Sequence, residues 1–595
     1  MRTVLTIGLI SGLLTAGLAA WSQDSVPEKK LIAVGWDMPN AERLRANLEL
    51  MEATPLQGCS VRFAGPGNKP AMWYAFGRDL WDQQAVAQIL EDLKALQPRQ
   101  LRDRFLLLNA NPGDVDWFDD AGWAIIVEHW RTAARVARDG GLKGLMFDPE
   151  AYRDPFRQFD WSAQAQTDQH SFAAYCEKAR QRGREVMAAV AGEYPEATIL
   201  ALFLLSVNRE AAERSDPMEA LSGRPYGLLP SFVDGWLDAA PPTLTFVDGC
   251  ETAYRFNSHL EYLSAANLIR NKCRRLVSPE NRYKYRAQVQ VGFGVYLDAY
   301  VNPPTSPWYI DPGAQTPARR LAENVASALE VADEYVWVYG EQASWWPSPH
   351  PISDKIRWPQ KLPGIEEVLR LAADPRGYAL RLLKEPGERT NAVVNGDFTS
   401  EKVAAAGGPQ PADWKQGTAP PGWSFWQTKV STGHPTWDRE VGRTSPGTGA
   451  LVGVKSGCLI QSFAVTPGER YVVGAWCRLQ GEGTASVRLR WQTAEGKWHA
   501  ESLDTFLSAA KTGDAPQPEG VQASAGARES GAAQQPAGNR ESGGNRDSGG
   551  EWKLLAGVGV VPEGAGKLVL LLSADGQRTD KDVMWWDDLT AYRVD

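Results

Sequence analysis

Acidic side chains recur directly behind apolar runs along the first half of the chain. They stand in Gly35-Trp36-Asp37, Phe147-Asp148-Pro149-Glu150-Ala151-Tyr152, Asp248-Gly249-Cys250-Glu251 and Tyr339-Gly340-Glu341, with a weaker case in Tyr296-Leu297-Asp298. Two carboxyl groups that face one another across a bound molecule can divide acid and base work, one holding a proton and the other ionised. Asp148 and Glu150 are the strongest candidates. Two apart on an extended segment, they point to the same side with Cβ atoms about 6.5–7 Å apart, and Pro149 between them marks the end of sheet pairing. A close like charge raises a carboxyl pKa, which is what a proton donor near neutral pH requires. The alternative is a helix N-cap, in which one of the two acids accepts from free backbone N–H groups.

Aromatic residues surround these acids: Trp36, Trp73, Tyr74, Trp117, Tyr152, Tyr254, Trp308, Trp345 and Trp346. The chain holds 24 Trp against 17 Tyr and 17 Phe in 595 residues, more indole than a core requires. Flat apolar rings suit the C–H faces of sugars, and the Trp345-Trp346 pair behind Glu341 is the one expected to stack on them. Glycoside cleavage needs the carboxyl pair described above, one on each side of the bond. Net charge is −9, from 63 Lys and Arg against 72 Asp and Glu, and no long basic run occurs, which excludes a nucleic-acid binder. The six His are scattered and no Cys-x-x-Cys occurs, so no zinc site is expected and no cofactor is needed for catalysis.

Eight apolar runs, at 31–36, 58–63, 105–109, 142–148, 198–206, 243–248, 288–296 and 335–340, alternate with helical patterns at 41–52, 82–96, 121–138, 170–192, 260–274 and 318–333. Nearly continuous apolar strands alternating with helices are what a parallel barrel, buried on both faces, requires. An α/β TIM barrel over 28–374 follows, and such barrels carry their chemistry at the C-terminal strand ends, where the acids lie. An open doubly wound sheet is disfavoured because no Gly-x-Gly-x-x-Gly follows the first run. Residues 375–390 read as a charged connector. From 391 to 595 short alternating strands between Gly and Pro turns predict an all-β sandwich or jelly roll, interrupted at 511–550 by a Gly/Ala/Ser-rich insert with repeats that should be disordered.

This second region resembles the β-sandwich carbohydrate-binding modules of secreted polysaccharide-degrading enzymes. The resemblance rests on Asn395-Gly396-Asp397-Phe398, Pro421-Gly422-Trp423, Gln461-Ser462-Phe463 with Pro467-Gly468 and Tyr471, and Trp586-Asp587-Asp588-Leu589. It implies a structural calcium near the chain ends, with Asp397 and Asp588 as ligands; turn formation is the alternative for both. Segment 141–152 resembles the strand-4 motif of chitinase-type glycoside hydrolase barrels, D-x-x-D-x-D-x-E followed by an aromatic. The two earlier Asp positions are here Lys143 and Met146, so only the final D-x-E stands. The match implies Glu150 as the acid and Asp148 as its partner. An N-acetyl-assisted mechanism and a two-carboxylate one, with Glu251 or Glu341 opposite Glu150, both stay open.

The expectation is a glycoside hydrolase acting on a polysaccharide as a monomer, with Trp36, Asp37, Tyr152, Tyr254, Asp298, Trp345 and Trp346 contacting substrate. A non-catalytic carbohydrate-binding barrel and a polysaccharide lyase are the alternatives. Residues 1–20, with Arg2, a short apolar stretch and Ala19-Ala20, read as a signal peptide of a secreted or periplasmic protein with no membrane contact after cleavage; a retained anchor is the other reading. Cys458 and Cys477, placed on neighbouring strands, are expected to form a disulfide.

Overall fold

The computed structural model describes residues 28–63, 71–348, 356–400, 417–499, 505–511 and 550–594. The proposed signal peptide, and the insert apart from its two end residues, lie outside them. Nine parallel strands form the first sheet: β1 (Lys30–Gly35), β2 (Gly58–Val61), β3 (Asp103–Asn109), β4 (Gly144–Asp148), β5 (Thr198–Ala201), β6 (Thr245–Asp248), β7 (Val289–Val291), β8 (Phe293–Tyr296) and β9 (Tyr335–Gly340). Their order is β7-β6-β5-β4-β3-β2-β1-β9-β8. The two ends of that order, β7 and β8, are separated by Gly292 alone, so the sheet returns on itself as an α/β barrel. Nine strands appear where eight were expected because the run 288–296 is broken at this glycine. Gly292 N–H donates to the Asp248 carbonyl at 2.9 Å, and Asp333 N–H to the Val291 carbonyl at 2.9 Å, which keeps both flanks bonded across the break. A Cβ at Gly292 would stand 2.8 Å from Val247 Cγ1, so the close approach needs glycine.

Helices fill the connections, among them Ala41–Glu52, Gln83–Lys94, Asp120–Asp139, Phe172–Glu193 and Leu229–Ala239. Asp120–Asp139 illustrates why: Asp119 caps it by accepting from Gly122 N–H at 3.0 Å, and Trp123, Ile126, Trp130, Ala133 and Ala137 form one buried stripe. At the N-terminal end of the barrel, Lys30 Nζ bridges Asp103 Oδ1 at 3.0 Å and Glu334 Oε1 at 2.8 Å, while the Tyr335 hydroxyl donates to Asp103 at 2.8 Å.

A second compact unit takes in Ala314–Ala322, and its main part begins at Gly364. It opens with the helices Ile365–Ala373 and Pro375–Lys384, so the segment read as a charged connector is largely helix. Leu371, Tyr378, Ala379 and Leu382 bury one apolar stripe against Val472 and Val594, which composition alone had hidden. The strands are β10 (Ser424–Gln427), β11 (His434–Asp438), β12 (Thr448–Val452), β13 (Ser456–Ala464), β14 (Arg470–Gln480), β15 (Thr484–Gln492), β16 (Thr505–Lys511), β17 (Lys553–Val560), β18 (Lys567–Asp575) and β19 (Val583–Arg593). They make two antiparallel sheets, β10-β13-β18-β15-β16 and β11-β12-β19-β14-β17, a β-sandwich. The motifs at 395–398 and 586–589 meet here: Phe398 and Trp586 are fully buried, and a Cβ on Gly396 would stand 2.2 Å from the Leu589 carbonyl.

The expected disulfide is absent. β13 and β14 follow one another in the chain but lie in opposite sheets, and Cys477 faces the core between them while Cys458 packs with Val569 and Leu571 in a separate cluster.

The Lys30 bridge generates a test. Replacing Lys30 by Met strands two half-buried carboxylates and is expected to lower stability by about 3 kcal/mol in denaturant titrations, with part of the loss recovered by adding Asp103→Asn. An unchanged midpoint would remove the bridge from the list of forces holding the barrel.

Candidate functional site

The register between β3 and β4 sets Asn109 beside Asp148 at the C-terminal rim. Asp148, 4% exposed, accepts from Asn109 Nδ2 at 2.6 Å through Oδ2 and from Glu150 N–H at 3.0 Å through Oδ1. The chain thus turns over Asp148 directly after the strand and carries Glu150 into the mouth. Glu150 accepts from the Tyr152 hydroxyl, and Tyr152 is fixed by its N–H donating to Asn111 Oδ1 at 3.1 Å. No helix starts at this point, so the N-cap reading of Asp148 and Glu150 does not hold.

Glu251 arrives from β6. Asp248, which ends that strand, is fully buried and accepts from the N–H groups of Leu204 (3.1 Å), Ser206 (2.9 Å) and Cys250 (3.3 Å) and from the Ser206 hydroxyl (2.5 Å). Its carboxylate is consumed in fastening the loops behind β5 and β6. Cys250 then takes a left-handed conformation, φ 43°, which turns Glu251 toward the mouth at some cost in backbone strain. Burial pushes the Glu251 carboxyl up to about 8, assisted first by the charge of Glu150 and then by that of Asp148. Burial raises Asp148 in the same way, with Glu150 as the neighbouring charge. Three carboxyl groups from two strands therefore share one low-dielectric space.

Tyrosines line it. Tyr226 is raised above its ordinary range by burial and by Glu150, Asp148 and Glu251 together, and Tyr254 by burial and Glu251, so both phenols keep their protons. Tyr254 stacks on Tyr296 and Tyr339 at 5.3 and 5.8 Å between ring centroids. Glu341 belongs to a neighbouring group: Tyr296 and Tyr339 hydrogen-bond its side chain, while burial still raises its pKa. The charge of Glu150 acts on Glu251, whereas Glu341 answers to burial and to its two tyrosine partners.

Several residues expected to contact substrate are placed elsewhere. Asp298 is buried and accepts from the N–H groups of Glu341 (2.8 Å) and Gln342 (2.9 Å). Asp37 is buried as well, accepting from Trp345 N–H at 3.3 Å with Arg43 at 3.7 Å. Both carboxylates hold loops, because loop donors reach them before any ligand could. Trp346 is 2% exposed, and the similarly buried Trp345 packs toward Trp358 at 6.3 Å, so neither offers a stacking face. Tyr254 and Trp117 are also interior. Trp36 (41% exposed), Tyr152 (50%) and Trp308 (39%) do present surface, with Trp73 set edge-on to Tyr152 at 5.3 Å. Asn109, Tyr226 and Tyr339 were not anticipated. Asn109 had a signal, a polar residue ending the run Phe105–Leu108, whereas Tyr226 lies in a long connection with none.

In the sandwich, Asp397 accepts from the Thr399 hydroxyl at 2.8 Å, and Asp588 accepts from Arg443 Nε at 2.6 Å and the Thr444 hydroxyl. A guanidinium already holds the Asp588 oxygen, so this pair does not fit calcium as the resemblance implied. Among the described residues no three His, Cys, Asp or Glu gather as metal ligands would. On one outer sheet face, Trp426 on β10 and Phe506 on β16 stand exposed on either side of Cys458 and Leu571, a shallow apolar floor.

No protein-family model and no curated protein matches the chain. Among solved structures, it is similar to the enzymatically active domain of bacteriophage CBA120 tailspike protein 4, at 14% identity and TM-score 0.20, covering 34% of this chain and 21% of that one. It is also similar to the CBM22-1–GH10 modules of Clostridium thermocellum xylanase 10B with xylohexaose (14%, TM-score 0.20, 29% and 26%). A third is TmCBM61 with β-1,4-galactotriose (13%, TM-score 0.20, 34% of this chain and 99% of that module). The chain spans about a quarter or less of the first two, and these likenesses assign no family.

The raised carboxyls carry a stability consequence. A folded-state pKa above the unfolded value means that folding takes up protons, so stability present below about pH 4 is lost as pH rises toward 8. Glu251→Gln is therefore expected to melt a few degrees above the parent at pH 8, with the difference shrinking toward pH 4, as read by calorimetry. An equal or lower melting temperature at pH 8 would mean that Glu251 carries no such strain.

Proposed function

We propose that the barrel is a glycoside hydrolase working through Glu150 and Glu251. What supports this reading is that β4 and β6, joined through β5, end at one rim and deliver Glu150 and Glu251 there, where the charge of Glu150 adds to burial in raising Glu251. Glycosidic cleavage needs one carboxyl that holds its proton near neutral pH and one that is ionised. Glu251, raised by burial and two flanking carboxylates, fits the donor to the leaving oxygen. Glu150, which the Tyr152 hydroxyl hydrogen-bonds, fits the second carboxyl at the anomeric carbon, as nucleophile or through a water. The assignment reverses the roles that the strand-4 motif implied. Asp148 is a positioning residue: it accepts from the Glu150 N–H and from Asn109 Nδ2 and so fixes the turn that carries Glu150. Tyr152 and Trp36, both exposed, offer rings to the sugar, and the outer face between Trp426 and Phe506 fits an auxiliary glycan-binding surface. Export to act on such a polymer is the expectation carried by residues 1–20.

Glu150→Gln and Glu251→Gln should each lower kcat by at least about 10²-fold. A substrate whose leaving group needs no protonation should restore the Glu251 variant and not the Glu150 variant. Because Glu251 must be protonated, activity should fall as pH rises through about 8, and this limb should vanish in Glu251→Gln. Near-parental turnover in both variants would overturn the assignment, and glycan binding without products would return the non-catalytic reading.

A further inference from the structure

Arg255 closes the short helix Glu251–Arg255 that begins at the proposed proton donor. At about 2.0 Å rise per residue in a helix of this tight kind, its backbone lies about 8 Å along from that of Glu251. Its guanidinium sits 4.2 Å from the centroid of the Trp308 ring. Trp308 in turn sets its plane edge-on to Tyr254 at 6.2 Å and to Tyr296 at 5.8 Å, the rings that back the carboxyl mouth. The indole is thus wedged against the aromatic wall on one side and covered by a cation on the other. It offers a rigid seat for a guanidinium and little free face for a sugar.

Arg255 is exposed and has no carboxylate partner among the described residues. Other arginines of the same unit are paired: Arg180 with Asp238, Arg182 with Asp120, Arg224 with Glu210 and Arg270 with Asp333. Stacking uses the face of a guanidinium and leaves its N–H edge directed outward, the geometry that grips a planar or tetrahedral oxyanion in a bidentate fork. The field of Arg157, also exposed and without a carboxylate partner among the described residues, reaches Tyr226. In a protein of net charge −9, an anionic ligand is received only where cations are set to offset that field.

We infer that the glycan taken at the barrel mouth is anionic, a uronate carboxylate or a sulfate ester, and that Arg255 on its Trp308 seat binds the charged group. This rests on the reading of the mouth as a glycan site, and it names the class of sugar.

Retention of the full chain on polygalacturonate, on a sulfated galactan and on neutral xylan, by affinity electrophoresis at low salt, tests it. The parent should bind one of the anionic polymers at least about 10-fold more tightly than xylan, and Arg255→Gln should lose that preference. Arg255→Lys, which keeps the charge without the fork, should fall between them. Preference for polygalacturonate identifies a carboxylate and preference for the galactan a sulfate. Because Arg255 is exposed, its variants should keep the parental melting temperature, and any retention by the sandwich is common to all of them. Equal retention of parent and Arg255→Gln, or a parent that prefers xylan, overturns the inference. Should no glycan yield products while the Arg255-dependent preference persists, hydrolysis falls and the anionic site stands.

Discussion

Everything at the mouth depends on the ring closing through segment 289–296. One extended stretch must pair with β6 on one side and β9 on the other, and the two ladders meet at Gly292, where a side chain would strike Val247. Closure sets the ends of β4, β6 and β9 around a single opening. Without it, Asp148, Glu150 and Glu251 would be three surface acids on an open sheet, hydrated and electrically independent.

Bringing them together costs stability, and the surrounding structure shows how that cost is limited. Acids at the other strand ends are neutralised as hazards by backbone donors: Asp248 takes three N–H groups and a hydroxyl, Asp298 takes two N–H groups, and Asp37 takes one with Arg43 nearby. Among the described residues, Glu150, Glu251 and Glu341 have no such backbone fastening at these strand ends; they are partly buried and face tyrosines. The division between fastened and unfastened carboxyls separates those that hold loops from those proposed for chemistry.

The sequence conveyed the alternation of strands and helices because parallel strands buried on both faces leave unbroken apolar runs. It also conveyed that acids cluster where those runs end. It did not convey which acids face the cleft, since an Asp at a strand end reads the same whether it meets a ligand or a loop amide. Asp37 and Asp298 end their strands in the same way and meet loop amides. The burial of Trp345 and Trp346 is not legible in the sequence because it depends on what folds back over their loop, here the segment around Trp358, and no periodicity records that. The helix Pro375–Lys384 lies within the stretch 375–390 that reads as a connector because its charged face dominates the composition, while the stripe that docks it together with Ile365–Ala373 is only Leu371, Tyr378, Ala379 and Leu382.

The same non-local logic places Cys458 and Cys477 in opposite sheets and leaves all six cysteines buried as thiols. Burial lifts Cys59 and Cys477 to about 12 and Cys176 to about 11, so little thiolate forms at neutral pH and alkylating or oxidising reagents find no nucleophile on the folded surface. The fold is therefore indifferent to the redox state of its surroundings once formed. Its vulnerable moment is earlier, while the chain is still open and six exposed sulfhydryls could cross-link wrongly. A host that keeps its cytoplasm reducing gives this chain a cleaner route to the native state than an oxidising export compartment.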